Sequence, residues 1–245
     1  MEKLPKLTLT RNGLRVQGFR SRKKLHDLSS PWYHPTSLVL VLKPGGTAVL
    51  VDKYRKDYYK ALWSGHPIDG VYRKLDAFGG HIKKEALQKR DHPYLSYETY
   101  LDAAVEELEE ECRLDDEGKN PVPVDCSRLF YLGFSVWHEE GNRECSAFFL
   151  YRMPEDLPLI GCDDGYDQNG ELQTILLDTV EIPYSDLLRD YFDAAPDPGQ
   201  DPADGYADGL ARLLRAASSG NPLPAVSDEA PLQFRSDILR IVTGG

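Results

Sequence analysis

Residues Glu98 to Leu114 read ETYLDAAVEELEEECRL. On a helical wheel of about 100° per residue, Leu101, Ala104, Val105, Leu108 and Cys112 share one stripe, the i, i+3, i+4, i+7 pattern of a helix docked on a core. Glu107, Glu110 and Glu111 gather on a second face beside it. Like charges three and four residues apart repel, each pair costing up to about 0.5 kcal/mol on an exposed helix. The face therefore calls for a cation, and a hard divalent ion with oxygen ligands, Mg²⁺ or Mn²⁺, suits it. Asp102, Glu106, Glu109 and Arg113 lie on the opposite flank, where Glu109 and Arg113 can pair without any metal. A plain solvated acidic face is the competing reading of a Glu run.

Upstream, Leu75 to Ile82 reads LDAFGGHI. A short apolar run holding a glycine pair predicts a strand and a tight backbone turn ahead of the helix. Together the two stretches resemble the signature of the Nudix hydrolases, a glycine, five residues, Glu, seven residues, then Arg-Glu-aliphatic-x-Glu-Glu-x-Gly-aliphatic. Gly80 takes the glycine position, Glu98 the first glutamate, Leu108 and Leu114 the aliphatic positions, and Glu107, Glu110 and Glu111 the metal-binding glutamates.

The resemblance implies an α+β fold, a Nudix-like α/β/α sandwich with a mixed sheet plus N- and C-terminal extensions. It implies a Mg²⁺- or Mn²⁺-dependent pyrophosphohydrolase that cleaves a nucleoside diphosphate linked to another moiety. Metal is then expected on Glu107, Glu110 and Glu111, with a backbone carbonyl of Gly79 or Gly80 completing the shell. Those three and Glu98 are the expected catalytic glutamates, Glu98 supporting the helix electrostatically or binding a second ion. The partner is a small-molecule diphosphate, and a homodimer is compatible with the reading.

Three departures qualify the match. Residues 81–97 stand where the pattern has five residues, so a loop of about twelve residues is inserted; doubling a loop's length costs only ~0.6 kcal/mol. Glu106 replaces the motif arginine, and Lys83, Lys84, Lys89 or Arg90 from the insertion are the cations available to stand in for it. Arg113 replaces the glycine after the helix, which predicts a different C-terminal cap. Glu106 supports an alternative, a Nudix-fold sensor or regulator that binds a nucleotide or sugar-phosphate without turnover. An isoprenyl diphosphate isomerase is a further alternative, disfavoured because no catalytic Cys stands obviously beside the motif.

The 245-residue chain suffices for one large domain or one domain with extensions. No run of eighteen apolar residues predicts a membrane span, and MEKLPKLTLT has no apolar signal region. Cys112, Cys126, Cys145 and Cys162 show no C-x-x-C pairing, the pattern of reduced thiols in a cytoplasmic protein. Net charge is −11, which disfavours non-specific nucleic-acid binding. Residues 1–97 carry nineteen Lys and Arg against eight Asp and Glu, and residues 98–245 carry ten against thirty-two. A basic half facing an acidic helix suits a phosphate-plus-metal site; a charge-segregated surface is the simpler account.

Residues 4–20 alternate around Arg11-Asn12-Gly13 and predict a hairpin. Thr36 to Leu42 (TSLVLVL) predicts a fully buried strand, and Thr47 to Tyr54 pairs back beside it. Lys53 and Arg55 at its end are phosphate-contact candidates. Leu129 to Trp137 and Cys145 to Arg152 predict a hairpin, with Trp137 a candidate base-stacking platform and Glu139, Glu140 and Glu144 as extra carboxylates near its tip. Glu171 to Val180 reads as a strand, Pro183 to Tyr191 as a helix, 193–206 as a loop, and Gly209 to Ala217 and Gln233 to Val242 as helices. The expected division is residues 1–35 as an N-terminal hairpin extension, 36–192 as the catalytic domain, and 193–245 as an acidic loop with C-terminal helices.

Overall fold

Strand β3 (His34–Lys43) is buried at every residue, as its continuous apolar run requires of a strand covered on both faces. The computed structural model describes residues 3–26, 30–54, 73–88, 94–114, 119–139, 142–166, 172–194 and 208–244. Around β3 runs an eight-stranded mixed sheet in the order β13 (Thr179–Pro183), β4 (Thr47–Tyr54), β3, β10 (Asn142–Arg152), β9 (Leu129–Glu139) and β14 (Leu223–Pro224). Only β10 runs parallel to β3; the other named pairs in the sheet are antiparallel. The same edge of β3 serves two partners. Val41–Lys43 pair with β4, and Thr36–Val39 pair with β6 (Phe78–His81), which follows β5 (Arg73–Asp76).

Alternation along β3 divides the core. Val39 and Val41 face one cluster with helix α3 (Tyr97–Glu111) and helix α6 (Glu229–Thr243); Leu38, Leu40 and Leu42 face another with α4 (Tyr184–Ala194) and α5 (Asp208–Ser219). Helices cover both faces, so the architecture is an α+β, three-layer α/β/α sandwich with a mixed sheet. No helix among the described residues is long and apolar enough to cross a membrane.

The N-terminal hairpin, β1 (Lys3–Thr10) and β2 (Gly13–Ser21), leads into the short α1 (Arg22–Leu25) and shares the α3-side core through Leu7 and Leu14. The insertion meets it. After α2 (Lys84–Gln88), β7 (Tyr94–Leu95) adds to the hairpin, Leu95 pairing with Leu14 and Tyr94 with Arg15.

Three features differ from the sequence reading. The segment read as one strand over 171–180 is two, β12 (Leu172–Leu177) and β13, parted at Asp178, whose carbonyl accepts the Asp52 N–H at 2.9 Å. Polar residues hid β11 (Ile160–Tyr166), which pairs with β12 and with β8 (Cys112–Arg113). Most of the expected 193–206 loop lies outside the described residues.

Helix phase is the third correction. The buried residues of α3 are Tyr97, Thr99, Tyr100, Ala103, Ala104, Glu107 and Leu108, while Leu101 and Val105 are half-buried. The buried face is rotated by about 80° from the expected stripe, toward the glutamates. Two tyrosines cause this, because their hydroxyls find partners inside: Tyr97 donates to the Ala225 carbonyl at 2.9 Å and Tyr100 to the Cys145 carbonyl at 3.1 Å. Leu108 is fully buried in either phase and Glu109 is exposed. Leu108→Ala is expected to cost about 2–5 kcal/mol and Glu109→Ala under about 1 kcal/mol. Urea denaturation of the two variants checks this, and equal losses would refute the placement of Leu108 inside and Glu109 outside.

Candidate active site

Helix α3 ends where β6 carries Gly79 and Gly80, and the two elements touch through these glycines. Gly79 has φ +139°, and a Cβ there would lie 2.2 Å from the Ser37 carbonyl oxygen of β3. No other residue fits. A Cβ on Gly80 would meet the Glu107 carboxylate at 2.7–2.9 Å, so the bare backbone lets that carboxylate close on the strand. Glu107 is 7% exposed. Glu111, half-buried one turn on, accepts the Gly79 N–H at 2.8 Å through Oε2.

Glu110 does not join this pair. It is exposed, and its Oε2 lies 2.9 Å from Lys83 Nζ. Among the described residues the oxygens of the three glutamates form no group within 4.8 Å, so the structure brings Glu107 and Glu111 to the glycines and leaves Glu110 apart from them. The face bends because Glu107 and Glu111 turn inward onto the glycines while Glu110 turns out to the insertion. Among the described residues of the insertion, Lys83 is a cation that meets the helix end. Lys84 instead lies 5.7 Å from the Phe19 ring centre, and Lys89 and Arg90 fall outside the described residues. Glu106, at the motif's arginine position, is exposed.

Glu98 stands apart. It lies in the first helical turn, exposed, about 13.5 Å along the axis and half a turn around from Glu107. Arg113 replaces the left-handed glycine cap by an extended exit: Cys112 takes φ −114°, ψ 120°, its N–H donates to the Leu108 carbonyl, and Cys112 and Arg113 pair with β11. The Arg113 guanidinium donates to the Glu110 carbonyl at 2.9 Å.

Of the substrate-contact candidates, Trp137 has a described side chain. Lys53 pairs with Lys74 across β4 and β5, but its side chain, and Arg55 altogether, lie outside the described residues. Trp137 faces the other side of the sheet from α3. Arg212 of α5 sits 5.4 Å from its ring centre and pairs with Glu144, the residue opposite Trp137 in β10, at 2.5 Å. Trp137 lines a cleft of about 490 Å³ together with Arg212, Arg215, Gln233, Asp237 and Arg240, and no α3 glutamate reaches that lining.

Sequence reasoning passed over one cluster. His26, His34 and His81, which share no spacing motif, converge beyond β6. Cys112, Cys145 and Cys162 are buried and outside any disulfide, and burial pushes the Cys112 thiol up to about 12.

No family model and no curated protein matches the chain. Solved structures resemble it at low identity. DR0079 from Deinococcus radiodurans is 15% identical over 88% of this chain and 99% of its own, with a TM-score of 0.47. A Nudix hydrolase from Nitrosomonas europaea is 13% identical over 78% and 93%, TM-score 0.41. A MutT protein from Methanosarcina mazei is 13% identical over 76% and 93%, TM-score 0.39. At these scores the functional reading rests on the site itself.

The oxygen donors of Glu107 and Glu111 fit Mg²⁺ or Mn²⁺, because Mg²⁺ is commonly held by one or two carboxylates plus substrate phosphates. The glycines can be tested directly. Gly79→Ala is expected to cost about 1–3 kcal/mol or more from strain against the Ser37 carbonyl. Gly80→Ala, which needs only the Glu107 carboxylate to move, should stay folded and weaken Mn²⁺ binding. Thermal melts and Mn²⁺ titration by paramagnetic relaxation separate the two effects; equal Mn²⁺ affinity in Gly80→Ala and wild type would refute the cradle.

Proposed function

We propose that the chain is a Mg²⁺- or Mn²⁺-dependent pyrophosphohydrolase of the Nudix type that cleaves a nucleoside diphosphate linked to another moiety. One observation carries this reading: two carboxylates at box spacing, Glu107 and Glu111, are held against the Gly79-Gly80 strand by a cradle and a backbone hydrogen bond. Bound divalent metal supplies charge stabilisation at phosphorus and lowers the pKa of a coordinated water.

The chain's own residues divide the remaining work. Glu107 and Glu111 hold the ion, and a Gly79 or Gly80 carbonyl completes their set. Lys83 orients the Glu110 carboxylate in place of the motif arginine. As an exposed pair the Lys83–Glu110 bridge adds only about 0.2–1 kcal/mol to stability, so its value lies in position. Glu98 acts at the helix N-terminus, where a carboxylate favours the macrodipole. Lys53 and Arg55 remain the proposed phosphate contacts, and a cytoplasmic location accords with the free thiols. The raised Cys112 thiol weighs against thiolate-based isomerase chemistry.

Glu107→Gln and Glu111→Gln are each expected to lower kcat by about 10²–10⁴ with KM changed less, and Lys83→Met by a smaller factor. The assay is product release from ADP-ribose, NADH, dinucleoside polyphosphates, nucleotide sugars and dNTPs with each metal. A wild-type rate indistinguishable from Glu107→Gln across that panel would overturn hydrolysis. The sensor reading would then rest on the arginine-lined Trp137 cleft, and nucleotide-dependent quenching of tryptophan fluorescence, lost in Arg212→Ala, would support it.

A further inference from the structure

We propose that His26, His34 and His81 form a binding site for a transition-metal dication of the zinc class, separate from the glutamate helix. The three imidazoles come from three elements: His26 follows α1, His34 opens β3 and His81 closes β6. One ring nitrogen of each lies within 4.8 Å of the others, and the Nε2 atoms of His26 and His81 are 3.3 Å apart. A tetrahedral ion with metal–nitrogen bonds of 2.0–2.1 Å sets its ligand atoms about 3.3 Å apart, so this pair already stands at the required separation. Ring centres lie 4.6–5.4 Å apart, close enough for small rotations to bring in the third.

His34 supplies the second, independent observation. It is completely buried, and neither of its ring nitrogens has a hydrogen-bond partner. Buried polar groups left in that state are uncommon and call for an absent ion or water. Glu144 Oε1 lies 3.8 Å from His34 Nε2, while Arg212 pairs with Glu144 through the other oxygen at 2.5 Å. Glu144 is therefore placed to give the fourth donor, oriented by Arg212 in the way outer-shell partners fix metal ligands. Its charge is needed, since Arg22 also acts on His81 electrostatically. Imidazole donors select zinc, cobalt, nickel or copper over magnesium. Such an ion would tie the end of the N-terminal segment to β3 and to the residue that follows Gly80.

The test uses the full chain, stripped with chelator and titrated with Co²⁺. One equivalent should bind with the intense visible bands of a tetrahedral site, Zn²⁺ should displace it, millimolar Mg²⁺ should not, and the melting temperature should rise. His26 is only partly buried, so His26→Ala should fold and lose about a hundredfold or more in affinity, with His81→Asn as a second variant checked by circular dichroism. Glu107→Gln should bind Co²⁺ as wild type does, which separates this site from the proposed hydrolytic one. Absence of stoichiometric tetrahedral Co²⁺, or its persistence unchanged in His26→Ala, would overturn the proposal and leave an ordinary imidazole–imidazole hydrogen bond.

Discussion

The close approach of helix α3 to strand β6 sets everything else at the site. A carboxylate as buried as that of Glu107 is costly to keep ionised unless hydrogen bonds or a cation compensate it. The fold nevertheless brings it to the backbone of Gly80 and leaves no room for a side chain between them. That position is held from several directions. Ser37 Oγ donates to the Tyr100 carbonyl at 3.1 Å, Tyr100 donates to the Cys145 carbonyl, and Tyr97, Tyr100, Tyr131, Phe134, Phe149 and Phe234 pack ring against ring beneath the helix. Aromatic pairs add about 0.5–1.5 kcal/mol each beyond burial, so the helix cannot roll to release Glu107 without breaking several of them.

The insertion within the signature follows from the same packing. It leaves β6 at Lys83, beside Glu110, and returns through β7 onto the N-terminal hairpin immediately before α3 begins. The hairpin and the insertion thus support one another at the helix start. A residue range that looks like an appendage in sequence is structurally continuous with the site, because Leu7 and Leu14 sit in the same apolar cluster as Leu108.

How much of this was legible depended on the kind of signal each residue carries. Uniform apolar runs announced β3, β9 and β10, and the carboxylate spacing announced α3 and its chemistry. The helix phase was misread because Tyr97 and Tyr100 count little as apolar residues, yet bury fully once their hydroxyls are satisfied. Strand β11 carries Asp163, Asp164 and Gly161, which give no strand signal; Gly161 is there because a Cβ would lie 2.7 Å from Val51 Cγ1. The histidine cluster was illegible for a different reason. Three single histidines at 26, 34 and 81 have no local spacing to betray them; the β3–β6 register, which sets His81 opposite Thr36, brings His81 to His34, and the segment after α1 adds His26.

That register also sorts the chemistry. Consecutive residues of a strand point to opposite faces. Gly80 opens toward α3 and the glutamates, whereas His81, the next residue, turns with His34 to the α5 side, where Glu144 and Arg212 meet. Oxygen donors are therefore confined to one face and nitrogen donors to the other by a single peptide step. Hard ions such as Mg²⁺ favour the first set and borderline ions such as Zn²⁺ the second. Because both sets hang on β6, a shift of that strand would disturb them together, so the strain-permissive Gly79 and the tight Gly80 contact constrain the histidine geometry as firmly as they constrain the glutamates.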